Sequence, residues 1–207
     1  MLDYIRDPAE IIRRSFAIIA EEAELSSLPT DIRPVAARIV HACGMPDVVA
    51  DLAFSEGAGL VGKAALLRAA PIICDVRMVA SGLMTKRLKA GNALHVGLDE
   101  SGAAELAERT GQTRSAAGME LASARLRDAI VVIGNAPTAL FRFLECVAAG
   151  APRPALVLGF PVGFVGAVES KAALAESGLP FITLHGRRGG SAIAAAALNA
   201  LILGDRQ

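Results

Sequence analysis

Apolar runs that each open onto a glycine-rich turn and then a helix recur along the chain, as in AIVVIG-NAPTAL from Ala129 to Leu140 and ALVLGF-PVGFVGAVESK from Ala155 to Lys171. These runs are apolar throughout instead of alternating with polar residues, so both faces of each strand must be covered by other structure. A parallel sheet with helices on both sides meets that demand. Its turns then lie at the carboxyl ends of the strands, where α/β proteins build their ligand sites.

The same alternation extends to both ends of the chain. Strands are expected at Pro71–Val76, Asn92–Gly97, Ala129–Ile133, Ala155–Phe160 and Phe181–Leu184. Helices are expected from Asp7 to about Leu25, then at Asp31–Cys43, Ser55–Ala69, Ala103–Thr110, Thr113–Leu126, Pro137–Ala148, Val165–Glu176 and Ser191–Leu203. Asp7, Pro8 and Glu10 form a helix start with the pattern of a capping box, and Gly44 suits the left-handed residue that ends a helix. With 207 residues and no linker or repeat to divide them, one domain spanning 1–207 is expected. Trp is absent and Tyr occurs once, so the core must be packed from Ala, Leu, Val and Ile in close helix-on-sheet layers.

Lys plus Arg and Asp plus Glu number 21 each, and a formal charge of zero argues against a nucleic-acid surface. No stretch reaches the roughly 18 uninterrupted apolar residues of a spanning helix. The charged start MLDYIRDPAE lacks the apolar core of a signal peptide. Cys43, Cys74 and Cys146 follow no paired spacing and read as reduced thiols. A cytoplasmic protein without membrane contact is the expectation.

The loops carry the candidate chemistry. After Gly134 the backbone N–H groups of Ala136, Thr138 and Ala139 are placed to receive a carboxylate or phosphate, with Asn135 as a side-chain donor; the plainer reading is a well-capped strand-to-helix junction. In LHGRRGGS, Arg187 and Arg188 flank a helix start that Ser191 can cap, either as anion ligands or as solvated loop residues. Among the three histidines, His41 stands near a helix end, where the dipole favours the imidazolium while Val40 and Cys43 penalise charge; it serves as a cap, a packed residue or a proton carrier. His95 and His185 have the same plain readings. No GxxxxGK[ST] loop occurs, and Pro161 interrupts the Gly159 to Gly163 segment that might imitate GxGxxG. HExxH, CxxC and GxSxG are also missing, which leaves metal and serine-triad chemistry unsupported.

Taken together, YIRDPAEIIRRSFAII, RIVHACG, PIICDVRMV, LKAGN, TRSAAGMEL, IGNAPTAL, PVGFVGAVESK and GRRGGSAIAAAALNAL closely resemble the precorrin-8X methylmutases, also called cobalt-precorrin-8 methylmutases or precorrin isomerases. The resemblance runs in order along nearly the whole chain. It implies a three-layer α/β/α sandwich on a mainly parallel, five-stranded sheet, and a homodimer with substrate sites near the subunit boundary. The reaction it implies is a methyl migration from C11 to C12 of a corrinoid ring, giving hydrogenobyrinic acid, or cobyrinic acid from the cobalt form, with no cofactor.

The family's acid/base histidine falls on His41, and its ligand-contacting serine and arginine fall on Ser15 and Arg114. In MVASGLMTKRLKAGN, Met84 stands near where the resemblance places a polar residue. Thr85 follows as a candidate contact, and Lys86, Arg87 and Lys89 are cations able to meet carboxylates. A binding module without turnover, a nucleotide-linked α/β enzyme and a purely structural oligomer are the competing classes.

Overall fold

The computed structural model describes residue 2 and residues 4–204; Met1 and Asp3 of the charged amino terminus and the last three positions of the expected domain lie outside the described residues. In chain order the helices are α1 (Pro8–Glu22), α2 (Arg33–Cys43), α3 (Ala58–Leu67), α4 (Arg77–Ser81), α5 (Ala103–Thr110), α6 (Arg114–Ala122), α7 (Pro137–Ala148), α8 (Ala167–Glu176) and α9 (Ser191–Leu203). The strands are β1 (Leu52–Phe54), β2 (Ile72–Cys74), β3 (Leu94–Val96), β4 (Ile130–Ile133), β5 (Leu156–Gly159) and β6 (Phe181–Leu184).

The strands form one sheet in the order β1-β6-β5-β4-β2-β3. Every neighbouring pair is parallel except β1 with β6, where Leu52 faces Leu184 and Phe54 faces Ile182. The sheet is therefore the expected parallel five with a sixth, antiparallel edge strand. That strand is three residues long, and helix α3 begins only at Ala58, after Gly57 has taken a left-handed turn at φ 67°.

Side-chain alternation along the strands divides the core in two. Ile72, Cys74, Ile130, Val132, Leu156, Leu158, Ile182 and Leu184 point into one layer with residues of α1, α2, α3, α4 and α9. Ile73, Val131, Ile133, Val157 and Phe181 point into the other, with residues of α6, α7 and α8. This is the three-layer sandwich, and its first layer is built largely on α9. That helix is almost entirely alanine and aliphatic, with residues 193–201 all buried, so α2 can lie directly along it.

Local signals set several element ends. Asp7 accepts a 3.0 Å bond from Ala9 N–H, but Glu10 pairs with Arg13 and Arg14 instead of returning to the cap, so only half of the expected capping box forms. Gly44 ends α2 at φ 68°. Helix α1 ends at Glu22, short of Leu25, and the tail of the expected Thr113–Leu126 helix tightens into a 3₁₀ turn at Ser123–Arg125. Short α4 lies where no helix was expected.

Candidate active site

The sequence RRSFAII puts Ser15 and Phe16 on the side of α1 that meets α2, and RIVHACG puts Arg38 and His41 one turn apart on α2. Ser15 Oγ lies 2.9 Å from His41 Nδ1. The Phe16 ring stacks on the imidazole with centroids 5.1 Å apart and planes 11° from parallel, and the Arg38 guanidinium sits 5.3 Å from the Phe16 centroid. Two helices thus hold the imidazole by one nitrogen and by its face. Burial pulls Arg38 below its ordinary value.

His41 lines a cavity of about 520 Å³ together with Ile12, Phe16, Arg38, Met84, Arg87, Lys89, Ile202 and Leu203. Among the described residues the lining is apolar apart from the imidazole and three cations, and includes no carboxylate. A cavity of this kind fits a large apolar body with anionic arms. On its other side the Ser15–His41 pair borders a smaller hollow of about 180 Å³ with Glu22 and Pro46. Met84 is fixed by buried Asn199 of α9, which accepts from Met84 N–H at 2.8 Å and donates to Gly82 C=O at 2.8 Å.

The pair can carry a proton in either direction. If the Ser15 hydroxyl donates to Nδ1, the ring proton resides on Nε2 and can be given away; if Nδ1–H donates to Ser15, Nε2 is free to accept. A rotation of the hydroxyl accommodates both tautomers.

The other expected contacts are distributed elsewhere. Thr85 and Lys86 are exposed on a 3₁₀ turn beside the cavity and do not line it, whereas their neighbours Met84 and Arg87 do. Arg114, the first residue of α6, lines a separate cavity of about 320 Å³ with Val76, Arg77, Met78, Leu98 and Asp99. Arg77 is already paired there with Asp99 at 2.7 Å. Arg188 is engaged by two carboxylates, Asp47 at 2.6 Å and Asp51, which anchor its loop to the segment after α2. Arg187 remains exposed and lies 5.3 Å from the Phe164 ring centroid.

Asn135 is exposed, but the turn around it is not the open anion cradle that its glycine suggested. The carboxylate of Asp75, fully buried at the end of β2, accepts from the N–H groups of Gly134, Asn135 and Ala136 at 3.0, 2.9 and 3.1 Å. Ala139 N–H turns back to Ala136 C=O. The chain supplies its own anion. Burial raises the carboxyl above the ordinary range even though these backbone bonds pull it down. Likewise Ser191 does not cap α9, because Gly190 occupies the cap position and Ser191 is the first helical residue.

Several residues in these sites carry no recognisable signal in the sequence. Arg38, Ile202 and Leu203 enter the cavity because α2 packs on α9, a juxtaposition that no local pattern announces. Lys171 is another. It is fully buried, donates to Arg188 C=O at 2.6 Å and is pushed down to about 8 by burial, against the pull of Asp51. The cysteines are free, and Cys74 is buried in β2. Among the described residues no cluster of three or more metal-ligating side chains occurs, and no helix is long and apolar enough to cross a membrane.

Comparison with known proteins gives one family. The family model described as precorrin-8X methylmutase matches residues 10–203. The precorrin-8X methylmutase of Pseudomonas aeruginosa is 56% identical over 203 residues, covering 97% of this chain and 98% of that protein. The cobalt-precorrin-8 methylmutase of Leptospira interrogans is 38% identical over 202 residues, covering 93% of this chain and 92% of that one. Among solved structures, the precorrin-8X methylmutase of Thermus thermophilus superposes with a TM-score of 0.85 at 40% identity over 94% of each chain.

Proposed function

The chain belongs to the precorrin-8X methylmutase family, and from that premise we propose that it moves a methyl group within one tetrapyrrole, from C11 to C12 of precorrin-8X, giving hydrogenobyrinic acid. The cobalt form of the substrate would give cobyrinic acid. Identity of 56% to the Pseudomonas precorrin-8X methylmutase against 38% to the Leptospira cobalt-precorrin-8 methylmutase favours the metal-free substrate.

The observation that carries this reading is His41, paired with Ser15, in the wall of an apolar cavity edged by Arg38, Arg87 and Lys89. A tetrapyrrole carboxylic acid is a broad apolar ring with anionic arms, which suits that lining. A 1,5-sigmatropic shift carries a carbon substituent along a conjugated system, and protonation of the ring favours the rearranged π system. His41 gives that proton and takes one back as the new conjugation settles, while Ser15 follows its tautomer. The cations hold the carboxylates, and the cavity holds the ring in its reactive pucker. The atoms balance within one molecule, so no methyl donor enters the reaction.

We also propose a cytoplasmic homodimer whose sites are completed across the subunit boundary. Arg114 and Arg187 do not line the His41 cavity of their own chain, and Phe164, Val165 and Met78 are 86, 88 and 73% exposed. Apolar exposure of this kind marks an interaction surface, and a second copy is the partner that could also bring Arg114 to the ring.

The test is a substrate with an isotopic mark on the migrating methyl. After turnover, NMR should find the mark on C12 at unchanged total mass, with added S-adenosylmethionine contributing nothing. Loss of the mark, or methyl incorporated from the donor, would overturn the proposed reaction.

A further inference from the structure

Residues 193–201 of α9 are all buried, and Asn199 is the one polar side chain among them. A buried amide is tolerated where its hydrogen bonds are made. Here the oxygen and the nitrogen both serve one turn: Oδ1 accepts from Met84 N–H at 2.8 Å, and Nδ2 donates to Gly82 C=O at 2.8 Å. A flipped amide would set oxygen against oxygen and N–H against N–H, so the orientation of the group is fixed.

The turn lies flush on the helix that holds it. A Cβ at Gly82 would stand 2.8 Å from Ala195 Cβ, a contact that no side-chain rotation relieves. From Met84 the chain runs on without slack: Arg87 N–H donates to Met84 C=O at 2.8 Å, Leu88 N–H donates to Thr85 C=O at 3.0 Å, and Leu88 packs against the first core layer. Met84 and Arg87, which line the His41 cavity, therefore stand between two fixed points. The same helix α9 gives the cavity Ile202, one turn beyond Asn199, and α2 with His41 lies along it.

We propose that Asn199 is a positioning residue for substrate binding, holding Met84 and Arg87 as a preformed wall of the His41 cavity, an inference that rests on the substrate class proposed above. Asn199 itself touches no ligand. It ties the wall that carries Met84 and Arg87 to the helix on which α2 packs, so that the thioether meets the ring and the guanidinium meets a carboxylate without rearrangement. Without the amide the turn loses its hold on α9, and part of the binding energy goes into ordering it.

The full-length protein is titrated with hydrogenobyrinic acid, followed by absorbance, and turnover is measured across substrate concentration. Asn199→Ala removes the amide. Gly82→Ala keeps the amide and lifts the turn off α9; φ at Gly82 is −79°, so the new residue meets no backbone strain. Each variant should weaken product binding roughly tenfold and raise KM by a similar factor, with kcat falling less, because the Ser15–His41 pair stands on α1 and α2. Arg87→Gln, which loses a charge-assisted contact, should also weaken binding roughly tenfold. Combined with either of the first two, it should stay well short of the roughly hundredfold loss that independent contacts would give, since a misplaced arginine has less to lose. A residue with a structural role alone would lower stability in denaturant and leave these binding ratios unchanged.

If folded Asn199→Ala binds the product as wild type does, or if its loss multiplies fully with that of Arg87→Gln, Asn199 does not position the wall and the substrate class stands. If Asn199→Ala does not fold, the same two outcomes in Gly82→Ala decide. If wild type binds no tetrapyrrole at all, the substrate class falls and the positioning role falls with it.

Discussion

At the scale of single residues, the proposed chemistry depends on how His41 is held. Phe16 covers one face and Ser15 occupies Nδ1, so turning the imidazole over would break its bond to Ser15. His41→Ala should lower turnover by about 10²–10⁴, the usual worth of a positioned acid/base group, while product affinity changes little. Single-turnover absorbance measurements beside product titrations check this, and near-normal chemistry in the folded variant would remove His41 from the proton transfer. Ser15→Ala keeps the imidazole but loosens it, and a loss of roughly tenfold in kcat is expected, in line with one neutral hydrogen bond. A loss equal to that of His41→Ala would mean that Ser15 itself takes part in the chemistry. The identities of this pair were accessible before the fold was known only through the family pattern. Read on its own, RIVHACG favours a cap or packed residue over a catalyst, because the partner that pairs with the imidazole lies on another helix 26 residues away.

At the scale of elements, the loops at the strand ends are built around buried charges. Asp75 satisfies three N–H groups of the Gly134 turn, so Asp75→Ala should cost about 3 kcal/mol or more through orphaned donors, measured by denaturant unfolding. Lys171 plays the same part for the arginine loop and gives it a pH dependence. Its folded value, pushed down to about 8, lies below the ordinary 10.5, so the native state disfavours the charged form. Stability contributed by the neutral amine is complete above pH 10.5 and is lost as pH falls toward 8. The unfolding free energy of wild type relative to Lys171→Met should therefore rise by on the order of 3 kcal/mol from pH 8 to 10.5. A flat difference across that window would deny the shift. Helices α5, α7 and α9 are legible in the sequence to the residue, since Gly111, Pro137 and Gly190 punctuate sharp changes of pattern. Strand β1 is not, because three residues on an antiparallel edge have no periodicity to read. Asp75 and Lys171 were passed over for a related reason: a lone charge beside an apolar run reads as a solvated end, and its buried partners lie 59 and 17 residues further along the chain.

At the scale of the whole molecule, the sandwich separates the groups that the proposed reaction needs together. His41 belongs to the layer of α1, α2 and α9, while Arg114 opens α6, a helix of the opposite layer. Each lines its own cavity. A single chain therefore offers the Ser15–His41 pair without Arg114, and Arg114 without that pair, and the proposed symmetric dimer would bring one of each to both of its sites. This arrangement has a consequence that a site within one subunit lacks. His41→Ala and Arg114→Ala proteins should each be nearly inactive alone. Dissociated, mixed and reassociated, they should form mixed dimers in which one of the two sites receives an intact His41 from one chain and an intact Arg114 from the other. Activity should return toward about a quarter of wild type, because random pairing makes roughly half the dimers mixed and each of these has one working site. If both groups act within the same subunit, each site of a mixed dimer still lacks one of them, and mixing restores nothing. Recovery should scale with the fraction of mixed dimer resolved by native mass spectrometry. Mixed dimers that form without regaining turnover would place the working Arg114 on the same chain as its His41.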